Sequence, residues 1–564
     1  MIIANLIKNK LDIMSRYFIL LFILLITINN KTLAQGIFGE KNDFTRQDTL
    51  RGTITAEREW WDLNYYHLDI RVDPEERSIK GSNTVGYTVL KSNKLMQIDL
   101  QEPMKITAVH QKNKPLNFTR EGNAYFIELK QKQIAGKVNY ITIEYEGNPK
   151  VAVRAPWDGG LSWEKDNNGI DFIATSCQGL GASVWWPNKD HMYDEVDSML
   201  MSVNVPKHLI NVSNGRLRKV IEKDDNTKTY EWFVANPINN YGVNINIGDY
   251  VNFSEKYNGE KGILDLDYYV LRDNLEKAKE QFKQVPMMLD AFEHWFGPYP
   301  FYEDSFKVVE VPYLGMEHQS SITYGNKYMQ GYLGRDLSRT GWGLKFDYII
   351  IHEAGHEWFA NNITYIDIAD MWIHEGFTCY SENLYVDYHF GKDAAADYVI
   401  GTRRGIRNRR PIIGPYNVNR EGSGDMYSKG ANILHTLRQI AKDDEKWRQI
   451  LRGLNKEFYH QTVRSKQVEE YISDNIGFDL KYVFDQYLRD IRIPVLEYFI
   501  KDGELNFRWS ETIDGFDMPI EIIVDDNKKW IYPVNSWKKI TSKKEYIEID
   551  RDYYVYSKDL RIVE

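Results

Sequence analysis

The residues best able to do chemistry in this chain form one short run, His352-Glu353-Ala354-Gly355-His356. Tyr348-Ile349-Ile350-Ile351 leads into it, and Glu375 follows in Trp372-Ile373-His374-Glu375-Gly376-Phe377. Residues four apart share a helix face, so His352 and His356 can offer two imidazole nitrogens to one metal ion. Glu353 is one step round the same turn, where it can reach a water at the metal without being a ligand. Asn361, Asn362 and Asp367 interrupt the pattern, and a second helix is expected to bring Glu375 back as the third ligand. Two histidines and one glutamate leave the fourth position of a tetrahedral zinc open, as a catalytic site requires and a structural one does not. Two surface histidines in a chance H-E-x-x-H are the plain alternative, and the apolar lead-in and distant acid count against it. Cys379, one turn past Glu375, is expected to be a small buried hydrophobe rather than a ligand.

These residues resemble the aminopeptidase N family of gluzincin metallopeptidases, whose zinc motif is H-E-x-x-H, eighteen residues, then E. The interval from His356 to Glu375 matches that pattern. The resemblance implies one Zn2+ per chain on His352, His356 and Glu375, with Glu353 as general base. In Leu314-Gly315-Met316-Glu317-His318, the middle three residues match the family's G-x-M-E-N phrase. That implies Glu317 holding the free α-amine of a peptide, with Gly315 and Met316 beside the substrate; Leu314 and His318 depart from the phrase. Tyr427, in a Y-x-K-G phrase, is implied to donate a hydrogen bond to the developing oxyanion. Gln178 falls where the family has a glutamine beside the first substrate residue. Trp185-Trp186-Pro187 departs from the family's F-P-C-F-D-E-P phrase and reads as packing and a turn. Glu382, two turns past Glu375 on the same face, is expected to accept a hydrogen bond from a ligand histidine. The expected function is removal of single N-terminal residues from peptides with a free N-terminus. A zinc endopeptidase or other hydrolase on the same scaffold and, more distantly, a non-catalytic peptide-binding module are the alternatives.

The elements that must position these residues can be read more coarsely. With 564 residues there is room for two to four domains, and a composition of 43% hydrophobic and 27% charged residues is that of a globular protein. A net charge of −10 argues against a nucleic-acid or anionic-membrane partner, and the five arginines from Arg403 to Arg410 read as a solvated face. Two cysteines exclude a disulfide scaffold, and two free buried thiols are expected.

Lys8, Lys10 and Arg16 precede an apolar run and Thr32-Leu33-Ala34, which reads as a signal peptide over residues 1–34. Export to the periplasm or medium is expected, with no stable membrane insertion after cleavage; an uncleaved anchor is the alternative. Residues 35–255 alternate in short strands with turns between them, 256–494 carry helical spacing, and 495–564 return to strands. The resemblance implies a multidomain α+β fold: an antiparallel β saddle, a thermolysin-like, mainly helical catalytic domain, and here a small C-terminal β-sandwich. Many family members continue into a large helical domain that caps the site, so a more open entrance is expected.

Overall fold

The computed structural model describes residues 43–561, and the signal segment expected over 1–34 lies outside them. Among the described residues, no helix is long and apolar enough to cross a membrane. A helix that sequence periodicity did not suggest, Arg46–Gly52, comes first.

The N-terminal domain is built on an eight-stranded sheet with Trp61–Asp73 near its middle. Alternation along that strand buries Leu63, Tyr66, Leu68, Ile70 and Val72, and a register shift after Leu63 accommodates the bulge at Asn64. The expected saddle is β-rich, with one correction. Trp61–Asp73 runs antiparallel to Ser78–Val89 but parallel to Ser198–Pro206, so the sheet is mixed. A smaller sheet, ordered Ile210–Ser213, Ile245–Gly248, Asp171–Ser176, Gly160–Lys165, carries the turn that presents Gln178.

The boundary expected at 255 falls inside the strand Tyr250–Gly259. This strand forms a hairpin with Gly262–Leu271, which pairs in parallel with Phe306–Glu310. Backbone pairing thus assigns the hairpin to the catalytic unit's five-stranded sheet, whose outer strand is Gly315–Met316. That sheet is covered on both faces. Val308 and Ile322 belong to the core of the catalytic helices, while Val309, Val311 and Met316 belong to the core of the N-terminal domain.

The helical spacing from Asn274 to Phe296 resolves into two helices, Leu275–Gln281 and Gln284–Phe296, the second ending at Gly297 with φ 92°. Four later helices follow the expected periodicity: Ser428–Ala441, Asp444–Glu457, Ser465–Ile476 and Lys481–Arg489. The C-terminal strands begin at Val495 and form a four-stranded and a three-stranded sheet. Trp509, Phe516 and Ile520 join the same core as Phe484 and Leu488 of the catalytic helices. The basic run is not all solvated. Arg404, Arg407 and Arg409 are exposed, whereas Arg403 donates to the carbonyls of Arg551 and Asp552.

Candidate active site

Asp347 begins the motif helix, Tyr348–Gly355. Its Oδ1 accepts from the N–H groups of Ile349 (3.0 Å) and Ile350 (3.4 Å), which have no partner within the helix. Gln281 Nε2 and Tyr324 Oη, at 2.7 Å each, hold its Oδ2. All eight residues of the helix are buried, so its polar side chains must be satisfied within the protein.

They are satisfied in a way that orients both imidazoles. Past His356 the backbone leaves helical geometry at Phe359 (φ −129°, ψ 76°), and the Phe359 carbonyl turns back to accept from His356 Nδ1 at 3.1 Å. Thr378 Oγ1 lies 3.0 Å from the same nitrogen. His352 Nδ1 lies 2.7 Å from Glu382 Oε1, and Tyr398 Oη donates to Glu382 Oε2 at 2.5 Å. These acceptors assign a proton to each Nδ1 and turn each Nε2 lone pair inward. Glu375 Oε2 faces them, 3.8 Å from His352 Nε2 and 3.5 Å from His356 Nε2.

Glu375 Oε2 is buried and has no hydrogen-bond partner. An orphaned carboxylate oxygen between two inward lone pairs is costly unless a cation lies among them. Zinc bonds of ~2.0–2.2 Å in a tetrahedron place ligand atoms ~3.3–3.5 Å apart, close to the separations here. His352, His356 and Glu375 therefore fit one zinc ion, as their spacing suggested. Cys379 is a free, partly exposed thiol beside His352 and Glu382, and burial pushes it up to about 12.

Glu353 and Glu317 each offer a carboxylate oxygen within 4.8 Å of a His356 nitrogen. Burial, opposed by the His352 imidazole and aided by the charge of Glu317, pushes the Glu353 carboxyl up to about 7. Glu317 follows the outer strand of the sheet. Its Oε1 accepts from Gln178 Nε2 at 2.6 Å and Tyr241 Oη at 3.0 Å, and Gln178 Nε2 also lies 3.1 Å from Glu375 Oε1. Gln178 thus bridges Glu317 to Glu375. Burial raises the Glu317 carboxyl against the influence of His356. Both of its hydrogen-bond donors are neutral.

Glycine at 315 is a steric requirement. A Cβ there would lie 2.6 Å from Ile349 Cγ2 and 3.2 Å from Glu353 Oε1, so only a bare backbone lets the strand lie against the motif helix. Met316 is 3% exposed and packs into the N-terminal domain's core, where it seats the strand. Of the two departures, Leu314 packs against the catalytic core, and His318 is fully buried with Nδ1 3.2 Å from Thr323 Oγ1. His318 Nε2 has no partner, and burial lowers the imidazole to about 3.

Tyr427 stands just before Ser428–Ala441, its ring near-parallel to that of His352 with centroids 6.3 Å apart. A helix crossing puts it there. Gly430 meets Gly376 of the helix Trp372–Phe390, and a Cβ on Gly430 would come within 2.7 Å of Gly376 Cα. Burial, reinforced by the charge of Glu375, raises the Tyr427 phenol, so it stays a neutral donor.

Sequence reasoning did not single out Tyr241, His374, Thr378 or Tyr398. His374 accepts from the Tyr365 N–H at 3.1 Å and lies 3.5 Å from Tyr241 Oη. Such links join residues far apart in sequence.

Two models of one family match the chain: the peptidase family M1 domain over residues 280–487 and the peptidase M1 N-terminal domain over 63–241. The chain belongs to peptidase family M1. His352, His356, Glu375, Glu353, Glu317 and Tyr427 all lie inside the first match, and Gln178 and Tyr241 inside the second.

Among curated relatives, endoplasmic reticulum aminopeptidase 1 of Mus musculus is 23% identical over 59% of this chain and 36% of its own length. Tricorn protease-interacting factor F2 of Thermoplasma acidophilum is 24% identical over 66% of this chain and 48% of its own. Aminopeptidase 2 of Candida albicans is 20% identical over 88% and 54% respectively. The chain thus spans from about a third to about half the length of these relatives. An M1 zinc metallopeptidase from Deinococcus radiodurans has the same fold, with a TM-score of 0.66 at 18% identity over 78% of this chain and 95% of that one.

Proposed function

We propose that this chain is a zinc-dependent aminopeptidase that removes the N-terminal residue from peptides with a free α-amine. One observation carries the reading. A buried carboxylate, Glu317, held by two neutral donors, stands beside a two-histidine, one-glutamate zinc site and its neighbouring acid, Glu353. The names of the relatives agree with it, as does a mutant of the Deinococcus enzyme solved with a Tyr-Ser-Ala substrate bound.

Zinc on His352, His356 and Glu375 would supply Lewis acidity, polarising the scissile carbonyl and making water a better nucleophile at neutral pH. The chain's own groups do the rest. Glu317 receives the substrate ammonium, with Gln178 holding its carboxylate in place, and so fixes the first peptide bond over the site. Glu353 takes a proton from the attacking water and returns it to the leaving amine. Tyr427 donates its phenol hydrogen to the oxyanion. Losing either partner of the Glu317–ammonium pair costs ~2–5 kcal/mol, enough to discriminate against a blocked N-terminus. The basic and apolar run at the start of the sequence supports an exported enzyme, periplasmic or secreted, acting on peptides there.

Incubation of the purified protein with free and N-acetylated peptides, with and without a chelator, tests the reading. Chelator-sensitive release of single residues from free peptides only is expected. Equal internal cleavage of blocked peptides would replace it with a zinc endopeptidase, and zinc binding with no cleavage would favour a peptide-binding module.

A further inference from the structure

Residues before 63 lie outside both family matches, yet the helix Arg46–Gly52 is bonded into the wall of the site. Gln178 sits in a tight turn in which Leu180 N–H donates to the Gln178 carbonyl at 2.7 Å and Gly181 N–H to the Cys177 carbonyl at 2.7 Å. The turn needs glycine at 179 and 181, with φ of 72° and 95°. Its outward carbonyls are held from three directions. Arg51 Nη1 donates to the Leu180 carbonyl, Gln101 Nε2 donates to the same oxygen at 2.7 Å, and Asn419 Nδ2 of the catalytic domain donates to the Gly179 carbonyl at 3.1 Å. Behind the turn lies a cavity of about 40 Å³ walled by Arg51, Gly52, Gly179, Tyr241 and Val418. Packing alone therefore leaves the turn room to shift, and its bonds set its place.

Arg51 is well fixed for this task. Its Nη2 lies 3.7 Å from Asp190 Oδ2, and its helix is pinned at the other end by Arg46 on Glu121 and by Gln47, which accepts from the Asn123 N–H at 3.0 Å. The neighbouring Gly52 lies so close to the Val418–Asn419 backbone that a Cβ would overlap it. The helix therefore touches both the Gln178 turn and the loop that leads on to Tyr427.

We propose that Arg46–Gly52 is a strap that positions Gln178, with Arg51 as its positioning residue and Gly52 as the close contact that keeps the Asn419 side in register. The consequence falls on substrate binding: with Arg51 removed, Gln178 no longer holds Glu317 where the ammonium arrives. The zinc ligands are seated by other elements and keep their places. The proposal rests on the aminopeptidase reading above.

The test compares wild type with Arg51→Ala, Arg51→Lys and Asn419→Ala in the full chain, using a free peptide and measuring kcat, KM, bound zinc and the urea midpoint. Arg51→Ala is expected to raise KM on the order of tenfold with kcat within about threefold and one zinc retained. Asn419→Ala should do the same more weakly, and Arg51→Lys, which can still reach the Leu180 carbonyl, should recover part of the loss. A wild type without aminopeptidase activity would sink the parent reading. An active wild type with unchanged KM in Arg51→Ala, or kcat and stability falling together at constant KM, would sink the strap.

Discussion

At the scale of residues, the candidate zinc ligands and Glu353 could be picked out because their spacing is the chemistry: four residues make one helix face. What orients them was legible only in part, since Thr378 and the Phe359 carbonyl reach His356 Nδ1 only after folding. Glu382 could be proposed from its seven-residue offset; Thr378 had no such mark. Because Glu382 fixes the His352 tautomer, Glu382→Ala should weaken zinc binding ~10–100-fold, as read by competition with a chelator of known affinity. His318 is a different case. Its folded value, near 3, lies below the ordinary value of about 6.5, so between those limits the unfolded chain binds more protons and stability is lost as pH falls. At pH 5 this amounts to about 2 kcal/mol, from one and a half units at ~1.4 kcal/mol each. Asparagine cannot take up that proton. The drop in urea-unfolding free energy from pH 8 to pH 5 should thus be smaller by about that amount in His318→Asn than in wild type. Equal drops would mean that His318 is not held neutral.

At the scale of elements, the glycines in two short phrases turn out to be one contact. Gly376 of the Glu375 helix and Gly430 of the helix after Tyr427 let the two backbones touch, which brings a phenol beside the metal ligands. Sequence spacing could not reveal that these two glycines are partners, because nothing local records a helix crossing. A methyl group there must push the helices apart, at ~1–3 kcal/mol for an overpacked site. Gly430→Ala should accordingly lower both the melting temperature and kcat while His352, His356 and Glu375 still bind one zinc. Unchanged kcat in a folded Gly430→Ala protein would separate Tyr427 from that crossing. The break at Phe282 and Lys283 is likewise unmarked, because the apolar spacing from Asn274 to Phe296 continues across it.

At the scale of the whole molecule, the three-part order of strands, helices and strands was visible in the change of hydrophobic period. The pairings that join the parts were not. The parallel pairing of Trp61–Asp73 with Ser198–Pro206 and the seating of Val309 and Met316 in the N-terminal core depend on contacts between distant segments. The C-terminal strands share a core with the catalytic helices, Tyr487 Oη donates to the Tyr554 carbonyl at 2.6 Å, and Arg403 ties down the Arg551–Asp552 turn. The C-terminal unit should therefore unfold together with the catalytic domain. Calorimetry of Arg403→Ala should show that shared transition moving to lower temperature, whereas a separate early transition for the C-terminal strands would contradict it.

The central claim is that Glu353 moves the proton in a hydrolysis carried out at a site built from His352, His356 and Glu375. Its most direct test is zinc content and turnover of a free peptide measured on the same preparation of Glu353→Gln. One zinc per chain is expected, as in wild type, with kcat reduced on the order of 10²–10⁴-fold. Wild-type turnover in the zinc-loaded variant would contradict it.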